Sequence, residues 1–143
     1  MSGRPSIRVI WLKRDLRVRD HAPLAEALQM EGPHVLLYCF EPTDLAHPTT
    51  SGRHVAFVQQ GLADMDVQLQ AWGREGAIPH GVATVPLHAE ATEVFRHLSG
   101  RFDIAGVHSY RESGLRHTYD RDLALVDLFV DAGVPWREHQ RDG

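Results

Sequence analysis

Residues 7–24 read IRVIWLKRDLRVRDHAPL, and the fold follows from how that stretch changes character. Ile7 to Leu12 is a short apolar run of the kind that forms a buried strand. Lys13, Arg14, Asp15, Arg17, Arg19 and Asp20 then make a charge-dense turn. Pro23 suits the first turn of a following helix, where its missing N–H costs little. Leu24 and Leu28 lie four apart, on one side of that helix. A strand that empties into a charged loop and then a helix is the first unit of an open α/β sheet. Ligands of such sheets bind at the carboxyl ends of the strands.

The rest of the chain repeats the unit. The first helix stops near Gly32-Pro33. His34 to Phe40, HVLLYCF, is a second strand, apolar enough for a parallel strand covered on both faces. Glu41-Pro42 ends it, and Thr43 to Thr50 reads as a polar loop. Ser51 to Trp72 is the clearest helix. Its residues Val55, Val58, Leu62, Met65, Leu69 and Trp72 form one continuous stripe. Ser51 is placed as its N-cap, and Gly73 and Gly76 as its end. The third strand is weak, either Ala77-Ile78 or Val82 to Val85, which suits a sheet edge.

Pro86 to Leu98 reads as the next helix, with Leu87, Ala91, Val94, Phe95 and Leu98 as its inner face and Gly100 as its stop. Glu90 and Glu93 fall in its early turns, where the helix dipole favours anions. Asp103 to Tyr110 is a fourth strand, and Arg111 to Gly114 its exit loop. A long helix follows to about Ala132, with Tyr119, Leu123, Val126 and Val130 as its stripe. Gly133 stops it, and Trp136 to His139 is a short fifth strand.

This order, β-α-β-α-β-α-β-α-β, predicts one α/β domain over residues 1–143. It is a doubly wound, Rossmann-like, five-stranded parallel sheet with helices on both faces. The expected strand order is 3-2-1-4-5, with the switch between strands 1 and 4. That order sets Lys13 and Arg14 beside Ser109, Tyr110, Arg111 and Glu112 at one crevice.

Composition narrows the function. The chain is 43% apolar and 24% charged, with a net charge of −4, which argues against a basic domain that grips nucleic acid unaided. Its one cysteine, Cys39, makes no internal disulfide or two-cysteine metal motif and fits a reducing compartment. No apolar run approaches the ~20 residues of a membrane span, and the opening MSGRPS is not a secretory signal. A cytoplasmic protein without a membrane partner is expected. G-x-G-x-x-G after strand 1, the P-loop pattern and H-E-x-x-H are all absent. The histidines are scattered without ligand spacing, so no metal site is expected. Ser109 lacks the G-x-S-x-G context of a nucleophile, and no catalytic residue is assigned.

In the charged loop, Asp15, Arg17 and Asp20 read as mutually paired residues that shape the turn. Lys13 and Arg14, at the strand tip, serve either that purpose or a polar ligand. Arg121-Asp122 reads as a surface pair on the last helix or as a ligand contact.

WLKRDLRVRDHAPL resembles the opening motif of the photolyase/cryptochrome family, R-x-D-L-R-x-x-D-N-x-A/P-L. Asp15, Leu16, Arg17, Asp20 and Leu24 match it, and His21 stands where Asn is commonest. VHSYRESGLRHTYDRDLAL, Val107 to Leu125, resembles the segment S-H-E-E-T-G-x-x-W-T-Y-x-R-D of bacterial photolyase-like proteins. Ser109, Glu112, Gly114, Thr118, Tyr119, Arg121 and Asp122 match there, while Tyr110 and Arg111 replace His-Glu and His117 replaces Trp. Ser51 to Gly73 is similar to the family's second helix through Arg53, Phe57, Leu62, Asp64 and Asp66. PWREHQRDG resembles the stretch before the family's linker.

The resemblance implies the amino-terminal antenna domain of a deoxyribodipyrimidine photolyase-like protein. Such a domain binds a light-harvesting chromophore: a folate (methenyltetrahydrofolate), a deazaflavin or a flavin. Its contacts are expected near Trp11, Lys13, Arg14, Glu41, Ser109, Tyr110 and Glu112. The family's catalytic FAD belongs to a carboxyl-terminal helical domain with no counterpart in these residues. That domain would be the partner, and damaged DNA would be met only through it. The chain alone is then inactive as a lyase, and Trp11, Trp72 and Trp136 are not the family's electron-transfer tryptophans. An apolar face is expected on its surface. Two alternatives stand beside this reading: the same domain of a signalling cryptochrome, and a standalone nucleotide-binding protein of universal-stress or electron-transfer-flavoprotein type.

Overall fold

A computed structural model of the chain describes residues 3–46, 52–79, 82–112 and 116–140. In chain order the elements are β1 (Ser6–Leu12), α1 (Ala22–Leu28), β2 (His34–Cys39), α2 (Pro42–Leu45), α3 (Gly52–Arg74), β3 (Thr84–Leu87), α4 (Ala91–Arg101), β4 (Asp103–Tyr110), α5 (Arg116–Ala132) and β5 (Trp136–His139). The strands form one sheet in the order β3-β2-β1-β4-β5, every pairing parallel. This is the doubly wound arrangement that the alternation of elements predicts.

Alternation along β1 sends side chains to both faces of the sheet. Val9 and Trp11 join Leu37, Cys39 and Val107 on one face, under Val94 and Phe95 of α4 and Leu125 and Phe129 of α5. Ile10 and Leu12 join Leu36 on the other, under Leu24 and Ala27 of α1 and Val58, Leu62, Met65 and Leu69 of α3. Each such side chain contributes roughly 1.5–3 kcal/mol when fully buried. The two cores therefore hold the sheet between two helical layers.

Several local expectations change. Pro86 lies in β3, not at the start of a helix, and α4 begins at Ala91. The pairing explains why a proline fits. The Leu36 amide donates to the Ala83 carbonyl and the Phe40 amide to the Leu87 carbonyl. Residues 83, 85 and 87 thus bond to β2, and Pro86 turns its bond-less nitrogen outward from an edge strand. Leu87 is exposed on β3 and forms no part of the α4 face. Gly100 lies inside α4, whose C-cap is Phe102. Gly73 is buried within α3, and the stop is Gly76 at φ 75°. Pro42–Leu45 forms a one-turn helix where a loop was expected. Ser51 lies outside the described residues.

The largest change is on α5. Tyr119, Leu123, Val126 and Val130 face outward, while Thr118, Leu125 and Phe129 face the sheet. The inner face of this helix carries Thr118, Arg121 and Asp122 in its first half. Its period therefore reads as polar although it is the packed side.

Candidate functional site

The carboxyl end of β1 delivers the next residue of its Val9–Trp11 face, Lys13. The Lys13 ammonium lies over the Trp11 ring, 4.4 Å from its centroid, and 5.7 Å from that of Trp136. Lys13 is only 7% exposed, and its Nζ has no hydrogen-bond partner among the described residues. Burial pulls its pKa below the ordinary lysine value, against the opposing pull of Asp122 and Glu112. A buried donor without an acceptor costs stability and is uncommon in native structures.

Beside it stands Arg121 of α5, 4.7 Å from the Trp11 ring. Its guanidinium donates to Glu41 at 2.6 Å, to Glu112 at 2.6 Å and to Asp122 at 3.0 Å. Burial opposes the Arg121 charge, but Glu41, Asp122 and Glu112 outweigh it and hold its pKa above the usual arginine value. Glu41 also accepts the Ala91 amide at 3.0 Å and so ties the start of α4 to the end of β2. Burial raises the Glu41 carboxyl although Arg121 pulls it down. Arg121 thus joins α5, the β2 exit and the β4 exit through side chains far apart in sequence.

The expected contact residues divide between the two faces of the sheet. Trp11, Lys13, Glu41 and Glu112 gather around Arg121 and Asp122. Ser109 adjoins them through Trp136, whose indole N–H it accepts at 2.9 Å. Arg14 is exposed, with its guanidinium 4.0 Å from Glu112. Tyr110 points to the opposite face, because neighbouring residues of a strand alternate. Its hydroxyl accepts the Ala22 amide at 3.0 Å and donates to the Asp20 carbonyl at 3.4 Å. Arg121, Asp122 and Trp136 complete the cluster. The match of Arg121-Asp122 to the segment motif was the signal for the first two, and nothing local pointed to Trp136.

The loop between β1 and α1 is built by its own charges. Asp15 accepts the Lys13 amide at 3.0 Å and pairs with the His21 Nε2–H. Burial alone would raise the Asp15 carboxyl, but the His21 hydrogen bond and charge prevail and hold it below the usual range. His21 Nδ1 accepts the Leu24 amide at 3.1 Å, so this histidine is the N-cap of α1. Arg17 donates to the Asp20 carbonyl, and Asp20 adopts φ 50°. An open cleft of about 980 Å³ lies on this side, lined by Arg17, Asp20, His21, Leu24, Trp72 and Tyr110 among others.

A third polar group crosses the sheet beneath α1. Glu26 meets His108 Nδ1 at 2.8 Å, His139 Nε2 at 3.3 Å and Arg137 Nε at 2.8 Å. Arg137 leads the causes that lower the Glu26 pKa to about 2. Glu26, His108 and His139 are close enough together to share a metal ion. Their hydrogen bonds favour an ion-pair network instead. Arg8 Nη1 donates to His108 Nε2 at 2.9 Å, which leaves the proton on Nδ1, the atom a metal would need.

The family model for DNA photolyase matches residues 8–142. The chain belongs to the DNA photolyase family. A cryptochrome DASH of Gloeobacter violaceus is 31% identical over 136 residues, which cover 90% of this chain and 26% of that protein. A deoxyribodipyrimidine photo-lyase of Halobacterium salinarum is 27% identical over 137 residues, covering 88% of this chain and 28% of its own. Among solved structures, a Synechocystis cryptochrome superposes at TM-score 0.81 with 21% identity, over 98% of this chain and 28% of that one. An archaeal photolyase of Sulfolobus tokodaii, described with two FAD molecules, superposes at 0.75 with 20% identity, over 94% and 29%. This DNA photolyase-family chain therefore spans under a third of each relative's length. No described helix is long and apolar enough to cross a membrane.

Proposed function

We propose that this chain is the antenna-chromophore domain of a photolyase-like protein and holds a planar conjugated ligand at the carboxyl ends of β1 and β4. The observation that carries the reading is Lys13: a buried ammonium without an acceptor among the described residues, set against the rings of Trp11 and Trp136. The residues fit such a ligand. The half-buried Trp136 offers an apolar wall, Trp11 lies buried beneath Lys13 and Arg121, and Lys13 offers an unused donor to a carbonyl, carboxylate or phosphate oxygen. Arg121 and its three carboxylates lie beside Lys13 and hold the strand ends together. When bound, a folate, deazaflavin or flavin would supply absorption of near-ultraviolet and blue light. The light-harvesting cofactor implied for the Sulfolobus tokodaii photolyase supports the same assignment here.

The partner in this reading is an FAD-binding region, and DNA repair is the work of the two together. The chain alone binds chromophore without splitting pyrimidine dimers. The names of the curated relatives, cryptochrome DASH and photo-lyase, support either repair or signalling by the whole assembly.

The test is an absorbance and fluorescence titration of the purified chain with flavin mononucleotide, a deazaflavin and methenyltetrahydrofolate. Saturable binding of one of them, weakened about tenfold or more by Lys13→Met, supports the assignment, since tenfold is the order expected of one charge-assisted bond. Binding of none of the three removes the antenna function from this chain.

A further inference from the structure

An irregularity in the pairing of β1 with β4 sets Arg8 against a glycine. Ile7 faces Ile104 and Arg8 faces Gly106, so Ala105 is passed over as a bulge. The Arg8 side chain occupies the notch that Gly106 leaves, since a Cβ on Gly106 would meet Arg8 Nη1 at 2.6 Å. From there Nη1 donates to Nε2 of the fully buried His108 at 2.9 Å. Arg8 Nε is itself buried and has no partner among the described residues. The guanidinium is therefore held by one uncharged acceptor, where a half-buried arginine ordinarily finds a carboxylate.

That acceptor exists only while His108 is neutral. Its Nδ1–H donates to Glu26 of α1 at 2.8 Å, which leaves Nε2 as the lone-pair nitrogen. Arg137 and His139 of β5 reach the same Glu26. His34 of β2 lies opposite Arg8 in the β1–β2 register and gives its Nε2–H to the Ala27 carbonyl. Two arginines thus share the surroundings of the ring with one carboxylate. Burial pulls the His108 pKa below its ordinary 6.5, the Glu26 hydrogen bond opposes this, and the Arg8 charge adds to it. Glu26, with its carboxyl held at about 2, stays ionised while His108 titrates. A proton on Nε2 turns the acceptor of Arg8 into a donor and sets two cations against each other.

We infer that Arg8, His108 and the Gly106 notch form a proton-operated switch: a neutral His108 holds Arg8 against the sheet, and a protonated His108 bonds Glu26 alone and releases Arg8 to solvent. Arg8 is already half-buried rather than enclosed, so its long side chain can swing out without moving the backbone. In water its Nε gains the partner that it lacks in the notch. The His108–Glu26 contact becomes a full ion pair at the same step, so the ring keeps its place as the guanidinium leaves. The switch lies under α1, on the opposite face of the sheet from Lys13, and it stands whether or not the antenna assignment holds.

The experiment follows the histidine-ring and arginine Nε–H signals of the isotopically labelled chain by NMR, from about pH 7.5 to about pH 4.5. At the neutral end His108 should show the Nδ1–H tautomer, with the Arg8 Nε–H signal protected from exchange. His108 should take up its second proton below pH 6.5. The Arg8 signal should be lost with that same midpoint, and not with those of His34 or His139. Gly106→Ala puts a methyl group where Nη1 lies and displaces only the far end of a flexible side chain. Arg8 should then be released at every pH, and His108 should bind its proton about tenfold more tightly. Arg8→Met removes the cation and leaves the notch, and it should tighten proton binding by His108 to a similar degree. This second variant keeps the test intact should Gly106→Ala not fold. An Nε2–H tautomer at neutral pH overturns the inference. So does an Arg8 signal that persists through the His108 transition or follows another histidine, and so does a His108 midpoint unmoved in Arg8→Met.

Discussion

Lys13 and His21 show opposite consequences of burying a polar side chain, one without an acceptor among the described residues and one with two partners. The folded state lowers the Lys13 pKa below its ordinary 10.5, so the folded chain holds its proton less tightly than the unfolded one. The sign follows: Lys13 lowers stability at neutral pH, and that penalty fades as pH rises through the folded pKa toward 10.5. Lys13→Met should therefore raise stability at pH 7 by about 1–2 kcal/mol while weakening the ligand, the usual trade at a binding site. Urea denaturation at pH 7 and pH 10 checks it, and a destabilised variant would contradict the reading. His21 works in the other direction. It caps α1 with one nitrogen and pairs Asp15 with the other. His21→Ala should cost about 2–4 kcal/mol, combining a lost cap with a buried carboxylate left short of a donor. His21→Asn supplies a capping oxygen in place of the ring Nδ1 and should lose less. Chemical denaturation of the two variants side by side separates the contributions.

Among the elements, α5 is the one whose role depends on distant residues. Its first turns are held by Arg121, which reaches Glu41 across 80 positions of sequence. Arg121→Ala leaves Glu41, Glu112 and Asp122 without their shared cation in a buried setting. The expected loss is about 3–5 kcal/mol, the range for breaking one side of a buried pair. Amide exchange should localise it to α5 and the start of α4, because Glu41 also holds the Ala91 amide. Exchange that quickens evenly through the sheet would mean that the cluster is not the joint between these elements. The contrast with α3 is instructive. Val58, Leu62, Met65 and Leu69 lie on the expected stripe and are buried. Apart from Asp66, which accepts the Thr84 amide at 2.7 Å, that helix packs through its apolar stripe, so its period announces its inner face.

For the molecule as a whole, one contribution to the acid limb of stability comes from the network that ties α1 to β4 and β5. The Glu26 carboxyl is held at about 2, below its ordinary 4.5, with Arg137 the leading cause. The stabilisation is fully present above pH 4.5 and is lost as pH falls through about 2. Glu26→Gln should flatten the acid unfolding curve between those two values and lower Tm at pH 7 by roughly 2–4 °C, as for a domain of this size losing about 1 kcal/mol. Thermal melts from pH 2 to pH 7 test it, and an unchanged acid limb would assign that limb to other carboxylates.

The order of elements, the parallel sheet, its 3-2-1-4-5 arrangement and the family were legible in the sequence. Each rests on local signals: apolar runs of strand length, one strong helical stripe, glycine stops and three ordered motifs. The clustering of Trp11, Lys13, Glu41 and Glu112 at the strand ends also follows from strand order, because carboxyl ends of neighbouring parallel strands meet. Three things required the folded chain. The inner face of α5 was one, since a helical period shows which residues share a side but not which side is covered. The placement of Tyr110 across the sheet from Lys13 was another, since it depends on strand phase at the end of β4. The last was Arg121 as the hub of the site. A charge is buried only where its partners come together, and Glu41 reaches it from 80 residues away. Local pattern specifies elements because their hydrogen bonds and periods are local. Polar clusters are specified by packing, because their cost is met only by groups that tertiary structure assembles.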